Sequence, residues 1–260
     1  MTNFLTPEVL FGANTESPCV RQVVGVSGSG KTIFLNQMLR QSAKSKDFSK
    51  LWRAIIFDVK HEGYGDLVGK TFQDGESALK NMDEMKITVV HPEISDAQYH
   101  LDVIIDGMFN LARTVENYAG VLVLEESSTF IRTSLGGIPD SIKRFATQGR
   151  SLGLSLILVN QRSLSNRWTD TQSTSVTCFR LAIPDRKLLK DRWGICAETL
   201  DNKLMEKKFS FAHYDLEDLS LQYYDPLILP EGKRGPVDGS QKKKEKRFKH
   251  PSTPFKWLPV

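Results

Sequence analysis

Residues 19–32 read Cys19-Val20-Arg21-Gln22-Val23-Val24-Gly25-Val26-Ser27-Gly28-Ser29-Gly30-Lys31-Thr32, and the order of residue types along this stretch constrains the rest of the chain. Cys19 to Gly25 is valine-rich, as a buried strand is. Thr32 to Ser42 sets Phe34, Leu35, Met38 and Leu39 on one side of a helix. Between strand and helix, Gly25 to Thr32 has the form G-x-x-x-x-G-K-T. The glycines let such a loop curl until successive backbone N–H groups converge on phosphate oxygens, and the helix N-terminus adds a potential that favours an anion. Lys31 is then placed to meet the β- and γ-phosphates of a nucleotide, and the Thr32 hydroxyl to ligate Mg2+. The expected cradle is Gly25, Ser27, Gly28, Ser29, Gly30, Lys31 and Thr32, with ATP and Mg2+ as cofactors. A chance glycine turn is the competing reading, and the flanking strand and helix argue against it.

Working outward, apolar runs alternate with helical patterns, the rhythm of an α/β fold with a mainly parallel sheet. The strand candidates are 54–57, 87–90, 120–124, 156–159 and 176–182, and the helix candidates are 103–118, 139–151, 184–193 and 198–207. Residues 209–214 and 219–224 read as a closing β-hairpin. The expectation is a P-loop NTPase three-layer sandwich: an N-terminal arm over 1–18, an ATPase domain over 19–230, and a flexible basic tail over 231–260.

Hydrolysis needs more than a phosphate cradle. A carboxylate must stand near the metal, and a group must orient or deprotonate the attacking water. Glu125 and Glu126 end the apolar strand Gly120 to Leu124, where these groups belong. Glu125 takes the metal side and Glu126 the role of general base; an exposed acidic turn is the bland alternative. A Glu at the first of these positions is longer than the Asp usual there.

Two further stretches narrow the class. Gly149-Arg150-Ser151-Leu152-Gly153 followed by an apolar strand, Asn160 and Gln161 resembles the G-R-x-x-G, strand, Gln pattern of the HerA/FtsK superfamily of DNA-pumping ATPases. Asp58-Val59-Lys60-His61-Glu62-Gly63-Tyr64 is similar to that superfamily's D-x-K-x-E-Y segment, with one extra residue before the tyrosine. The resemblance covers residues 19–182. It implies a RecA/HerA-FtsK-like fold, a homo-oligomeric, hexameric ring and double-stranded DNA as partner. It also implies Gln161 as a sensor of the γ-phosphate, and Arg150 as an arginine finger acting on the neighbouring subunit's nucleotide, with Arg144 the alternative. Asp58, Lys60 and Glu62 serve the nucleotide site, a subunit contact or their own loop, and no catalytic role is assigned to them. Lys60 and His61, or residues 132–134, are candidates for DNA phosphate contacts. With the P-loop beginning at Gly25, the arrangement resembles the genome-packaging ATPases of membrane-containing double-jelly-roll viruses, which makes packaging of a viral genome the specific role implied.

Composition fits this reading. The net charge is +4, yet residues 231–260 carry nine Lys/Arg against three acids, while the first 230 residues sum to −2. This tail, with Phe248, Phe255 and Trp257 among its charges, can dock DNA, an acidic capsid surface or an anionic membrane, or act only as a solubilising end. No run approaches the ~20 apolar residues of a membrane span and the first residues lack the pattern of a secretory signal, so the expected location is the cytoplasm of a host cell, or a virion vertex. Cys19, Cys178 and Cys196 read as reduced thiols. Two rivals remain: a small-molecule or nucleotide kinase, and a nucleotide-gated assembly scaffold without motor activity. No arginine-rich lid segment supports the kinase.

Overall fold

The valine-rich stretch before the glycine loop forms β1 (Val20–Val24) near the middle of a nine-stranded sheet. The structure is a computed structural model and describes residues 18–44, 51–61, 63–64, 67, 70–82, 84–131, 137–162 and 166–225. The expected arm up to residue 17, the tail over 231–260, Glu62 and residues 132–134 lie outside the described residues.

After the glycine loop come α1 (Lys31–Lys44), β2 (Trp52–Asp58), β3 (Thr71–Phe72), α2 (Gly75–Lys80), β4 (Ile87–Val90), α3 (Ala97–Thr114) and β5 (Ala119–Glu125). Then follow α4 (Asp140–Gln148), β6 (Leu154–Asn160), α5 (Arg167–Gln172), β7 (Ser175–Cys178), α6 (Ile183–Trp193), α7 (Ala197–Glu206), β8 (Phe211–Asp215) and β9 (Leu221–Tyr224). The strand order is β3-β4-β2-β5-β6-β1-β7-β8-β9. Pairings from β3 through β7 are parallel, while β7 with β8 and β8 with β9 are antiparallel.

Strand periodicity divides the core into layers, because alternate side chains point to opposite faces. Ile55 and Phe57 of β2 and Leu122 and Leu124 of β5 pack with α2, α3 and α4. Their neighbours Ala54, Ile56, Val121 and Val123 face the other way and pack with Phe34, Leu35, Met38 and Leu39 of α1. A third cluster seats Leu189 of α6 and Leu200 and Leu204 of α7 on β7 and β8. The three-layer P-loop architecture is therefore present, with α1, among the described helices, packing on one face of the sheet. Nothing acidic stands in the first turn of α1, so local charge does not hold it. Its four apolar anchors, each no more than 1% exposed, do, at ~1.5–3 kcal/mol apiece.

Several boundaries differ from the sequence expectation. Helix α3 covers Ala97–Thr114 rather than 103–118; Ala97 and Leu101 extend its packed face, and the chain turns out through Asn117 at φ 58. The short helices α2 and α5 escaped periodicity, but Asp74 and Asn166 cap them, accepting from Ser77 N at 2.7 Å and Trp168 N at 2.9 Å. Strand β7 stops at Cys178 because the Arg180 carbonyl leaves the ladder to accept from Val26 N at 2.8 Å. Phe209, expected to start the hairpin, stands outside it with φ 69.

Candidate nucleotide site

A parallel sheet gathers the C-terminal ends of its strands on one edge, and there the P-loop meets the ends of β2, β5 and β6. Gly28 at φ 72 and Gly30 at φ 108 occupy backbone conformations that side chains rarely adopt, which is how the loop achieves its curl. Gly25 serves a different need: a β-carbon there would stand 2.6 Å from Phe179 Cβ and 2.7 Å from Ser29 Oγ. Lys31 Nζ rests in the concavity, donating to the carbonyls of Gly25 at 2.7 Å and Val26 at 3.2 Å. Burial lowers its pKa, against the charges of Glu125 and Glu126, which raise it.

Ser27, Gly28, Lys31 and Thr32 line a cavity of about 110 Å³ together with Asp58, Lys60, Glu125, Glu126 and Gln161. Of the residues the sequence singled out for chemistry, Lys31, Thr32, Glu125, Glu126 and Gln161 are thus brought together. Arg150 is not among them. It sits in the turn before β6, at the opposite edge of the sheet, with its side chain 52% exposed and 3.9 Å from Glu217. Arg144 is ion-paired to Asp106 and lies over the Phe109 ring at 4.9 Å.

The two glutamates at the end of β5 have unlike environments. Glu125 is buried, and desolvation, followed by the charge of Asp58 across the ladder, pushes its carboxyl up to about 7. Its Oε2 is buried and unpaired among the described residues. A buried, unpaired carboxylate oxygen on a residue that lines the same cavity as Thr32 fits a hard divalent cation such as Mg2+, which would supply positive charge where phosphate oxygens gather. No three His, Cys, Asp or Glu among the described residues form a cluster able to hold an ion alone, so phosphate and water would complete its shell.

Glu126 sits in left-handed backbone, φ 49 and ψ 50, which is uncommon for a residue with a side chain and is found at functional turns. Its carboxylate pairs with the Lys60 ammonium and accepts from Ser128 Oγ at 2.9 Å. The turn beyond it is held from the neighbouring strand: Asn160 Nδ2 donates to Ser127 Oγ at 2.6 Å, and Asn160 Oδ1 accepts from Ser128 N at 2.8 Å.

Two participants, Asn160 and Tyr64, escaped sequence reasoning, and a third, Lys60, was left among alternatives. Asn160 was read only as part of a strand end. Lys60, a candidate for DNA contact or for the nucleotide site, is turned into this cavity, and the next residue, His61, is stacked on His91 and bonded to the Pro92 carbonyl at 3.0 Å. Tyr64 is fully buried, its hydroxyl without a well-aligned hydrogen bond but lying against Thr32 and Glu125. Desolvation and the charges of Glu125 and Asp58 hold its phenol well above the usual range. The D-x-K-x-E-Y likeness was the available signal for Lys60 and Tyr64, and it did not say where the loop folds. Gly63 closes it onto α1: a β-carbon there would meet Thr32 Cγ2 at 2.6 Å, and its carbonyl accepts from Asn36 Nδ2 at 2.7 Å.

No protein-family model and no curated protein matches the sequence. Solved structures do. The genome packaging NTPase B204 from Sulfolobus turreted icosahedral virus 2, in complex with AMPPCP, superposes with a TM-score of 0.61 at 16% identity, over 82% of this chain and 99% of that one. VirB4 of Thermoanaerobacter pseudethanolicus gives 0.59 at 10% identity, over 83% and 91%. The pCW3 conjugation coupling protein TcpA, with ATPγS, gives 0.51 at 17% identity, over 81% and 61%. The chain accordingly shares the P-loop α/β fold of these solved structures.

Proposed function

We propose that the protein is a Mg2+-dependent ATPase that moves double-stranded DNA as a homo-oligomeric ring, and that its specific task is packaging a viral genome. The observation that carries hydrolysis is the enclosure of the P-loop, Glu125, Glu126 and Gln161 in one cavity of about 110 Å³. Two carboxylates at the end of β5 beside the phosphate cradle supply the groups that phosphoryl transfer to water requires, one for a metal and one for the water. In this reading Lys31 neutralises the β- and γ-phosphates, and Thr32 with Glu125 holds the metal. Glu126 takes the proton of the attacking water and Gln161 registers the γ-phosphate. Glu126 accepts that proton only when Lys60 yields its carboxylate. Arg150 serves a neighbour's nucleotide, a role suited to an exposed side chain far from its own site.

DNA as cargo rests on the fold likeness: one neighbour is described as a genome packaging NTPase and another as a conjugation coupling protein. The basic tail, which would dock DNA, a capsid surface or a membrane, adds the charge such contacts use. The test is steady-state ATP hydrolysis at low salt, with and without long linear double-stranded DNA, with Lys31→Ala as the blank. Stimulation by DNA that fades with rising salt supports the motor. A Lys31-dependent rate indifferent to DNA overturns the coupling and returns the kinase to consideration, and absence of turnover favours the scaffold.

A further inference from the structure

The loop after β2 carries a hydroxyl to the buried side of the nucleotide site. Thr32 and Glu125 line the catalytic cavity, while Tyr64, fully buried, packs in the layer between the sheet and α1 with Phe34, Leu35 and Val123. The backbone fixes its place. Gly63 closes so tightly onto α1 that a β-carbon there would stand 2.6 Å from Thr32 Cγ2, and its carbonyl accepts from Asn36 Nδ2 at 2.7 Å. The Tyr64 carbonyl in turn accepts from Leu67 N at 2.9 Å.

The Tyr64 hydroxyl and Glu125 Oε2 are each buried without an aligned hydrogen-bond partner among the described residues, and the phenol lies against both Glu125 and Thr32. A buried tyrosine ordinarily brings its O–H to a partner, and leaving such a group unsatisfied is costly. A phenylalanine would fill the same space without that cost, so the hydroxyl calls for a use.

We infer that Tyr64 is a positioning residue for the metal side of the site: its oxygen accepts a hydrogen bond from the Thr32 hydroxyl and its own O–H donates to the Glu125 carboxylate, so that both side chains keep a lone pair turned into the cavity. The inference deepens the proposed nucleotide hydrolysis and rests on it. A hydroxyl that ligates a cation offers an oxygen lone pair and must send its proton elsewhere. A carboxylate has about four lone-pair sites and takes a donor and a cation together. One phenol meets both needs, since it accepts and donates at a single atom. Glu125 has the greater need of it, because its side chain is longer than the Asp usual at this position and has one more bond to hold still. Tyr64 touches neither phosphate nor cation in this arrangement and acts through the two side chains in front of it, as the hydrogen-bond partners of metal ligands do.

The experiment measures binding of a fluorescent ATP analogue in EDTA and in saturating Mg2+, for the wild type, Tyr64→Phe and Tyr64→Leu. In the wild type Mg2+ tightens binding. Tyr64→Phe keeps the ring and loses only the hydroxyl, so affinity in EDTA stays within about twofold of the wild type while the gain given by Mg2+ falls about tenfold, the low end of what partners of metal ligands carry. Tyr64→Leu loses packing as well, and Tyr64→Phe recovers the urea midpoint without recovering the response to Mg2+. A Tyr64→Phe variant with the full Mg2+ gain overturns the inference, and so does one weakened equally in EDTA and in Mg2+, since Tyr64 then only props α1. Failure of Tyr64→Phe to fold assigns the hydroxyl to folding and overturns it as well. A wild type that binds the analogue equally with and without Mg2+ overturns the metal role while nucleotide binding stands. Absence of binding in both conditions, with Lys31→Ala indistinguishable from the wild type, overturns the proposed nucleotide hydrolysis itself.

Discussion

Asn160 provides the sharpest test of how the site is held. Its side chain is 2% exposed at the end of β6 and makes two hydrogen bonds, to Ser127 Oγ and from Ser128 N, that pin the turn after Glu126. Asn160→Ala removes both partners at once. The Ser128 N–H and the Ser127 hydroxyl are then left without them, and a buried group left unsatisfied costs ~1–3 kcal/mol. Two such groups, one of them at a partly exposed turn, give an expected loss of about 3 kcal/mol. Ser127→Ala deletes only the bond from Asn160 Nδ2, while Asn160 Oδ1 still accepts from Ser128 N, so about 1 kcal/mol is expected. Urea titrations of the two variants at neutral pH read these values as midpoint shifts at constant slope. The functional consequence is separate from stability. Asn160 does not line the cavity, and it meets the P-loop only through its backbone carbonyl, which accepts from Gly25 N at 3.2 Å and is kept in Asn160→Ala, so nucleotide affinity should hold while turnover falls by about tenfold or more, as the left-handed Glu126 loses its fixed aim. A midpoint shift for Asn160→Ala no larger than for Ser127→Ala, or equal losses in affinity and turnover, would falsify the positioning role.

Glu126→Gln, measured by nucleotide binding and turnover, should retain ATP while hydrolysis drops ~10²–10⁴-fold, the range for loss of a general base. Gly30→Ala meets both φ 108 and the Phe209 ring, so a loss of ~1–3 kcal/mol in thermal or urea stability is expected, together with weakened ATP binding; an unchanged variant would show that the loop yields freely. His213 supplies a pH dependence: burial, then the Arg21 charge, lowers its imidazole from 6.5 to about 4. The unfolded chain takes up a proton below about 6.5 that the folded state refuses until about 4, so this group costs stability as pH falls through that window. At ~1.4 kcal/mol per pH decade the full loss is about 3 kcal/mol. His213→Gln, compared with the wild type in urea at pH 7.5 and 4.5, should lose less on acidification, and parallel losses would contradict a neutral buried imidazole.

Residues 19–32 were sufficient to establish a strand, a phosphate loop and a helix, because each is specified locally: valine for the buried strand, glycine for positive φ, and i, i+4 spacing for α1. Continuous apolar runs likewise marked β5 and β6 as central strands buried on both faces. The same runs placed Glu125, Glu126 and Gln161 at strand ends, and a parallel sheet brings such ends to one edge. Short elements were less legible: α2, α5 and β3 bury too few residues to show a period.

What only the tertiary structure decided is which residues meet across long separations. Lys60 and Glu126 lie at the ends of neighbouring strands β2 and β5 and become an ion pair through the register that sets Asp58 opposite Glu125. Phe209 reaches Gly30 because β8 pairs with β7, two strands from β1, and carries the turn before it to the P-loop. Local residue type dictates backbone conformation and burial, which the chain states in order along its length. Strand order and register are global properties of packing, and they alone determined that a lysine would cover the candidate base and an aromatic ring would border the phosphate cradle.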